Sequence, residues 1–340
     1  MEKKTGVLLV NLGTPDDPNP RAVGRYLREF LGDKRVIDIP TIPRKLLVNG
    51  VIVPTRKGKS SKEYYKVWTE EGSPLLLYSE QLEEEVSKLF KEKNVEIFLA
   101  MRYQSPSMES VLAEMQKANF DQIIIFPLYP QYASASTGST IEEAMRILQK
   151  WYVIPEISII SQFWDEPGYT DTIVEIAADF DLDSYDHVLF SYHGLPERQV
   201  DKVYEDRKCS NHSCEIEINA ENKFCYKATC YATTRLIAVK LGLSEKDYTV
   251  CFQSRLDKNW IKPFSDEVVE ELGGKGLKKL LVFSPAFVAD CLETIVEIGE
   301  GYKELFQERG GEELDYVPSL NVHPTWIKTV AKMIQDRISS

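Results

Sequence analysis

The chain alternates short, wholly apolar, β-rich runs with longer amphipathic stretches, and it passes through that alternation twice. The runs fall at 6–12, 96–101, 122–126 and 158–163, and again at 187–192, 249–252, 280–283 and 314–317. Strands that are apolar on both faces belong to parallel sheets covered by helices on each side. The spacing predicts helices over 21–31, 79–91, 108–118, 140–150, 168–178, 228–241, 266–272, 292–309 and 325–337. A length of 340 residues suits about two domains. The expected fold class is therefore α/β, with two similar doubly wound, Rossmann-like lobes, each built on a parallel four-stranded sheet. The first lobe is expected over 1–165 and the second over 166–340, with the C-terminal helix packing back on the first.

The two halves repeat in detail. Gly6-Val7-Leu8-Leu9-Val10-Asn11-Leu12-Gly13-Thr14-Pro15 has the shape of His187-Val188-Leu189-Phe190-Ser191-Tyr192-His193-Gly194-Leu195-Pro196 once Gly13 is laid on Gly194. The next pair of runs ends at Arg102 and Arg255, and the third at Pro127 and Pro285. Doubly wound sheets bind ligands beyond the carboxyl ends of their strands, so these endings are expected to face a common cleft.

Charge and composition exclude several classes. Fifty-three acids against 41 bases leave a net charge of −12, which argues against a nucleic-acid partner. No segment approaches the roughly 18 uninterrupted apolar residues of a spanning helix, and Met1-Glu2-Lys3-Lys4 does not open a leader, so a cytoplasmic location is expected. No Gly-x-Gly-x-x-Gly or phosphate loop follows any strand, which counts against nucleotide chemistry.

His193 closes a predicted strand, where a neutral imidazole can take a proton or bind a metal; the alternative is a half-buried histidine capping a turn. Asp290, Glu293, Glu297 and Glu300 recur at three- and four-residue steps, so an α-helix would stack them on one face. Such a file is either a solvated acidic face or a path for a divalent cation with hard oxygen ligands. Tyr103, Tyr129, Tyr132, Trp260 and Phe287 crowd the strand ends and suit a large flat ligand, with Arg102 and Arg255 either pairing its acidic groups or bonding within the protein. Cys209, Cys214, Cys225 and Cys230 form two Cys-x4-Cys pairs. In a reducing compartment they are thiols or metal ligands, and the spacing leaves structural zinc and an iron–sulfur cluster both open.

Four motifs carry a resemblance: Val10-Asn11-Leu12-Gly13-Thr14-Pro15, Pro130-Gln131-Tyr132-Ala133-Ser134-Ala135-Ser136-Thr137-Gly138-Ser139, Ser191-Tyr192-His193-Gly194-Leu195-Pro196, and Phe287-Val288-Ala289-Asp290-Cys291-Leu292-Glu293-Thr294. In this order, over nearly the whole chain, they resemble the ferrochelatases, metal-chelating lyases that insert ferrous iron into protoporphyrin IX at the last step of haem biosynthesis. The resemblance implies a chelatase-like fold, ferrous iron and protoporphyrin IX as substrates, and His193 and Glu293 as the catalytic pair. It also implies that His193, Glu293, Asp290 and Glu297 handle metal or protons. Leu12, Arg102, Tyr103, Tyr132, Trp260 and Phe287 match porphyrin-side positions. The stretch 14–72 resembles the lip of the protoporphyrin-using members, with Arg56, Tyr64 and Ser73 as candidates for the propionates. The lip's apolar and basic mix suits peripheral contact with the inner face of a membrane.

This sequence departs from the family pattern at three places: Asp257 replaces an expected glycine in a loop one residue short, Cys291 stands where some relatives have histidine, and Ser134 replaces a cysteine of the animal-type cluster. Some bacterial members resemble this chain in carrying an internal four-cysteine segment that binds a [2Fe-2S] cluster. That implies Cys209, Cys214, Cys225 and Cys230, within an insertion over about 205–230, as its ligands. The rival readings are a coproporphyrin or cobalt chelatase of the same fold, and a non-catalytic haem or iron–sulfur sensor, which would not need the His193 and Glu293 pair.

Overall fold

A computed structural model of the chain describes residues 3–91 and 94–339. Met1 and Glu2, part of the opening segment considered above, lie outside the described residues. Four parallel strands, β1 (Thr5–Gly13), β2 (Val95–Tyr103), β3 (Gln122–Pro127) and β4 (Glu156–Ile159), form one sheet in the order β2-β1-β3-β4. Four more, β5 (His187–His193), β6 (Tyr248–Gln253), β7 (Lys279–Phe283) and β8 (Glu313–Tyr316), form a second in the order β6-β5-β7-β8. The two orders are the same once the second set is renumbered from its own start, which is the duplication expected of the doubly wound halves. The chain divides into two compact units. One comprises Met1–Tyr129, Ser134–Gln162 and Trp326–Ser340; the other comprises Pro130–Ala133 and Phe163–Thr325.

Each sheet is held by burial on both faces. In the first unit Leu8 and Val10 project from β1 onto Met108, Leu112 and Met115 of one helix and Ala144, Ile147 and Leu148 of the next. In the second, Leu189, Leu280 and Val282 meet Val268, Val269, Ile298 and Phe306. Burying each such side chain contributes about 1.5–3 kcal/mol, which is why the runs are apolar throughout. Among the described residues no helix is long and apolar enough to cross a membrane.

The glycine match holds at the level of atoms. Gly13 has φ +106°, and a Cβ there would lie 2.0 Å from the Tyr103 carbonyl oxygen; at Gly194 a Cβ would lie 2.7 Å from the Gln253 carbonyl oxygen. In both units the first strand ends where its neighbour's backbone leaves no room for a side chain.

The other two matched endings are out of register. Asn11 pairs with Met101, and Tyr192 with Phe252. Both partners donate their N–H to a proline carbonyl, Met101 to Pro106 at 2.7 Å and Phe252 to Pro263 at 2.9 Å. Leu12 therefore corresponds to His193, and Arg102 to Gln253 rather than to Arg255. Leu9 pairs with Phe126 and Phe190 with Phe283, so Pro127 corresponds to Ser284, one residue before Pro285. The topology repeats while the arginine and proline likenesses are coincidental.

Two further expectations change. The fourth strand covers Glu156–Ile159 instead of 158–163, because β3 offers partners only as far as Ile125. Ile160 and Phe163 stay apolar because they are buried beyond the sheet, 3% and 2% exposed. Within the lip, residues 41–67 form one continuous helical stretch: Thr41–Leu47, a π-helical turn Val48–Ile52, and Val53–Val67. Pro43, Gly50, Pro54 and Gly58 obscure its periodicity in the sequence.

Candidate active site

In the second unit, β5 delivers His193 to the carboxyl end of its sheet, half-buried. Its Nδ1 lies 2.7 Å from the Gly194 carbonyl oxygen. A carbonyl can only accept, so Nδ1 carries the hydrogen and the Nε2 lone pair is left for chemistry. The ring lies 6.4 Å from those of both Trp260 and Phe287, and the Tyr226 hydroxyl donates to the His193 carbonyl at 2.9 Å. The shortened loop before Trp260 is pinned beside it: Glu197 N–H donates to Asn259 O, and Ile261 N–H to Leu195 O, each at 2.9 Å.

Gln253 is the register partner of His193 on β6. Its side-chain amide reaches the Glu293 carbonyl at 3.5 Å and Glu297 Oε2 at 3.4 Å. Glu297 also accepts from the Ser254 N–H at 2.9 Å, the Ser254 hydroxyl at 2.5 Å and the Tyr302 hydroxyl at 3.3 Å. Burial pushes the Glu297 carboxyl up, the negative charge of Glu293 pushes the same way, and the Ser254 donors oppose them, as does His193 once it has taken a proton. Glu297 thus lies within electrostatic reach of both Glu293 and His193. Cys291 donates its thiol to Glu293 Oε2 at 3.0 Å; burial, then Glu293's charge, drive that thiol well up from its ordinary range.

The acidic file is shorter than an α-helix would make it. Residues Glu293–Tyr302 form a π-helix, whose wider i→i+5 turn carries a residue seven positions on away from the face it would otherwise share. Glu300 is accordingly exposed. Asp290, 6% exposed, is fully engaged: it accepts from Thr294 at 2.9 Å, Asn321 Nδ2 at 2.7 Å and Ser319 N–H at 3.2 Å. Its carboxylate ties the start of the π-helix to the segment after β8. Only Glu293 and Glu297 remain beside His193.

The other expected ligand-facing residues divide by burial. Phe287, Trp260 and Tyr132 are half-buried, Tyr132 edge-on to Phe224 at 6.0 Å. In the first unit Leu12 is half-buried and Arg56 is exposed, without an ion pair among the described residues. Tyr64 and Ser73 point inward, 8% and 4% exposed, Ser73 accepting from the Thr14 hydroxyl at 2.9 Å. Arg102 and Tyr103 bond within the protein. Arg102 pairs with Asp33 at 2.7 Å and reaches the Ser139 hydroxyl at 2.8 Å, and the fully buried Tyr103 donates to Asp33 at 2.9 Å. Arg255 likewise pairs with Asp266 and Glu267 at 2.6 and 2.8 Å. Neither arginine is left to meet an acidic ligand.

Sequence reasoning missed Gln253, Ser254 and Tyr226. Gln253 and Ser254 directly follow the run 249–252, where a doubly wound sheet places its ligand groups; Tyr226 carries no such mark.

For the cysteine segment, the thiols of Cys209, Cys214 and Cys225 converge, all within 4.8 Å of one another. Cys230, fully buried in the helix Tyr226–Leu241, is not among them. Three sulfurs mutually 3.4–3.8 Å apart do not fit a [2Fe-2S] cluster, which carries its four thiolates as two separate pairs, one on each iron.

A sequence model of the family described as Ferrochelatase matches residues 4–338. The ferrochelatase of Legionella pneumophila (strain Corby) is 46% identical over 336 residues, covering 98% of this chain and 100% of that protein. The ferrochelatase of Coxiella burnetii (strain Dugway 5J108-111) is 44% identical, covering 97% and 93%. Among solved structures, SirB from Bacillus subtilis with Fe3+ shares the fold, with a TM-score of 0.56 at 12% identity over 98% of this chain and 95% of that one. With motifs in order, a family match from end to end, and relatives this close over their full length, the chain belongs to the ferrochelatase family.

Proposed function

We propose that this chain inserts ferrous iron into protoporphyrin IX, yielding protohaem and two protons. One observation carries the reading beyond family membership: His193, with its free Nε2 lone pair, and Glu293 both lie within electrostatic reach of the Glu297 carboxyl. Metallation must remove two pyrrole protons and replace them with a dication. Nε2 is suited to accept a pyrrole proton, and general-base positioning of this kind contributes about 10²–10⁴ in rate. Glu297, with its carboxyl raised by burial, is suited to carry a proton onward, and Glu293 balances the charge of the entering iron. Trp260 and Phe287 beside the imidazole supply apolar surface for a flat macrocycle. Arg56, exposed and without an ion pair among the described residues, suits a propionate. The [2Fe-2S] cluster takes no part in this reading.

A His193→Ala variant should lose turnover by about 10²-fold or more while still binding porphyrin, read by iron insertion alongside spectral titration. Near-normal insertion would reject the role. Preference for coproporphyrin over protoporphyrin, or for cobalt over iron, would move the assignment to the rival chelatases.

Peripheral membrane contact is the second part of the proposal. Ile42, Leu46 and Val51 on the helical stretch of the lip are 74%, 68% and 54% exposed, beside exposed Lys45, Arg56, Lys57 and Lys59. Flotation with anionic vesicles tests it; equal recovery of the native chain and an Ile42→Ser, Leu46→Ser double variant would count against it.

A further inference from the structure

Among the described residues, one group of His, Cys and carboxylate side chains converges as metal ligands do: Cys209, Cys214 and Cys225. Their sulfurs form a near-equilateral triangle, with Cys209 3.4 Å from Cys214 and each of these 3.8 Å from Cys225. All three are buried and none is disulfide-bonded.

The triangle discriminates between metal chemistries. A tetrahedral ion that holds thiolates at about 2.3 Å sets neighbouring sulfurs about 3.8 Å apart. A [2Fe-2S] cluster divides four thiolates two and two between its irons, so a third sulfur cannot be equidistant from a pair that shares one iron. The fourth cysteine, Cys230, lies in the helix that Cys225 caps and is not among the converging three.

The surroundings suit anionic sulfur. The Tyr204 hydroxyl lies 2.8 Å from Cys214 Sγ, and its ring stacks on His212 at 3.8 Å. Cys225 sits at the N-cap of Tyr226–Leu241, where the helix dipole favours negative charge. Cys209 is anchored through its N–H to Asp201 at 2.8 Å, at the end of the short helix that follows the His193 strand end.

We propose that Cys209, Cys214 and Cys225 bind a single thiophilic divalent ion, zinc, as three thiolates, with a small exogenous donor such as water in the fourth position. Three S–H bonds are replaced by three S–Zn bonds, three protons pass to solvent, and no electron is transferred. Tyr204 then serves as the outer partner that donates to Cys214. The ion fastens the segment 209–225, which contains only one short helical turn, to the helix whose first residue, Tyr226, holds the His193 carbonyl.

The test is metal and acid-labile sulfide analysis of the full chain, purified anaerobically from cells supplied with both iron and zinc, together with its visible absorption. About one zinc per chain, no sulfide and no colour are expected; iron with matching sulfide and a visible band would overturn the assignment, as would a chain that arrives free of metal and takes up no zinc on titration. Cys230→Ser should retain its zinc, whereas Cys209→Ser, Cys214→Ser and Cys225→Ser should each lose it. Loss of zinc from Cys230→Ser in a chain with unchanged circular dichroism would also overturn the three-thiol site. Tyr204→Phe should weaken zinc binding by about tenfold, and because the zinc content of the unaltered chain is read directly, the proposal stands or falls even if a variant fails to fold.

Discussion

Tyr226 holds the backbone of the residue that bears the imidazole: its hydroxyl donates to the His193 carbonyl at 2.9 Å while Gly194 fixes the ring of the same histidine. Both the main chain and the side chain of His193 are therefore restrained. Such a hydrogen bond is worth about 0.5–1.5 kcal/mol, so Tyr226→Phe should lower kcat by up to about tenfold and leave the KM for porphyrin nearly unchanged. Steady-state kinetics separate this from a structural effect, which would raise KM as well.

Ser254 has φ +62° and gives Glu297 both its N–H and its hydroxyl. These donors favour the carboxylate and oppose burial, which raises the carboxyl. Ser254→Gly keeps the backbone donor and the left-handed conformation but removes the hydroxyl. The Glu297 carboxyl should then rise further, moving the limb of the kcat profile that reports its ionisation to higher pH by about one unit. A profile that stays put, or moves to lower pH, would detach Glu297 from turnover.

Asp33 is the acid on which the buried cluster of the first unit depends. Burial alone would raise its carboxyl, but the Ser139 hydroxyl, the Arg35 N–H and the charge of Arg102 outweigh that and hold it below the ordinary value. A depressed carboxyl contributes stability above its unfolded pKa and loses it as pH falls through the folded one. Asp33→Asn leaves Arg102 unpaired and should cost about 3 kcal/mol at neutral pH. Urea melts at pH 7 and at pH 3 should show the gap between variant and parent narrowing in acid.

Gly13 and Gly194 should respond differently to alanine. At Gly13 both the φ of +106° and the 2.0 Å approach to Tyr103 O forbid a Cβ, so Gly13→Ala should destabilise by about 3 kcal/mol or more. At Gly194 the φ does not itself forbid a side chain, and the added Cβ would press on Gln253 O at 2.7 Å and on the Trp260 ring, which flanks His193, at 3.1 Å. Gly194→Ala should thus disturb activity more than the melting temperature. Equal loss of stability at both sites would contradict this.

The strands were legible because their runs are apolar, and the place of His193 was legible because it closes such a run just before a glycine. What was hidden depended on contacts distant in sequence. Asp33, far along the chain from Arg102, turns that arginine and Tyr103 into core. Asn321 and Ser319 take up Asp290. The i→i+5 winding of Glu293–Tyr302 sends Glu300 outward, and no α-helical wheel reveals that. Arg255 looked like the counterpart of Arg102 only because the sequence shows no register; the hydrogen bonds of Met101 and Phe252 supply it. Four cysteines in two Cys-x4-Cys pairs suggested four ligands, yet Cys230, in the helix after Cys225, is not among the three that converge.

Leu12 and His193 occupy the same place on two copies of one backbone plan. The halves thus share their architecture and differ in what each projects from that place, grease in one and a proton acceptor in the other. Specialisation of this kind requires no new topology: one backbone plan, used twice, presents an inert group from one copy and a reactive one from the other.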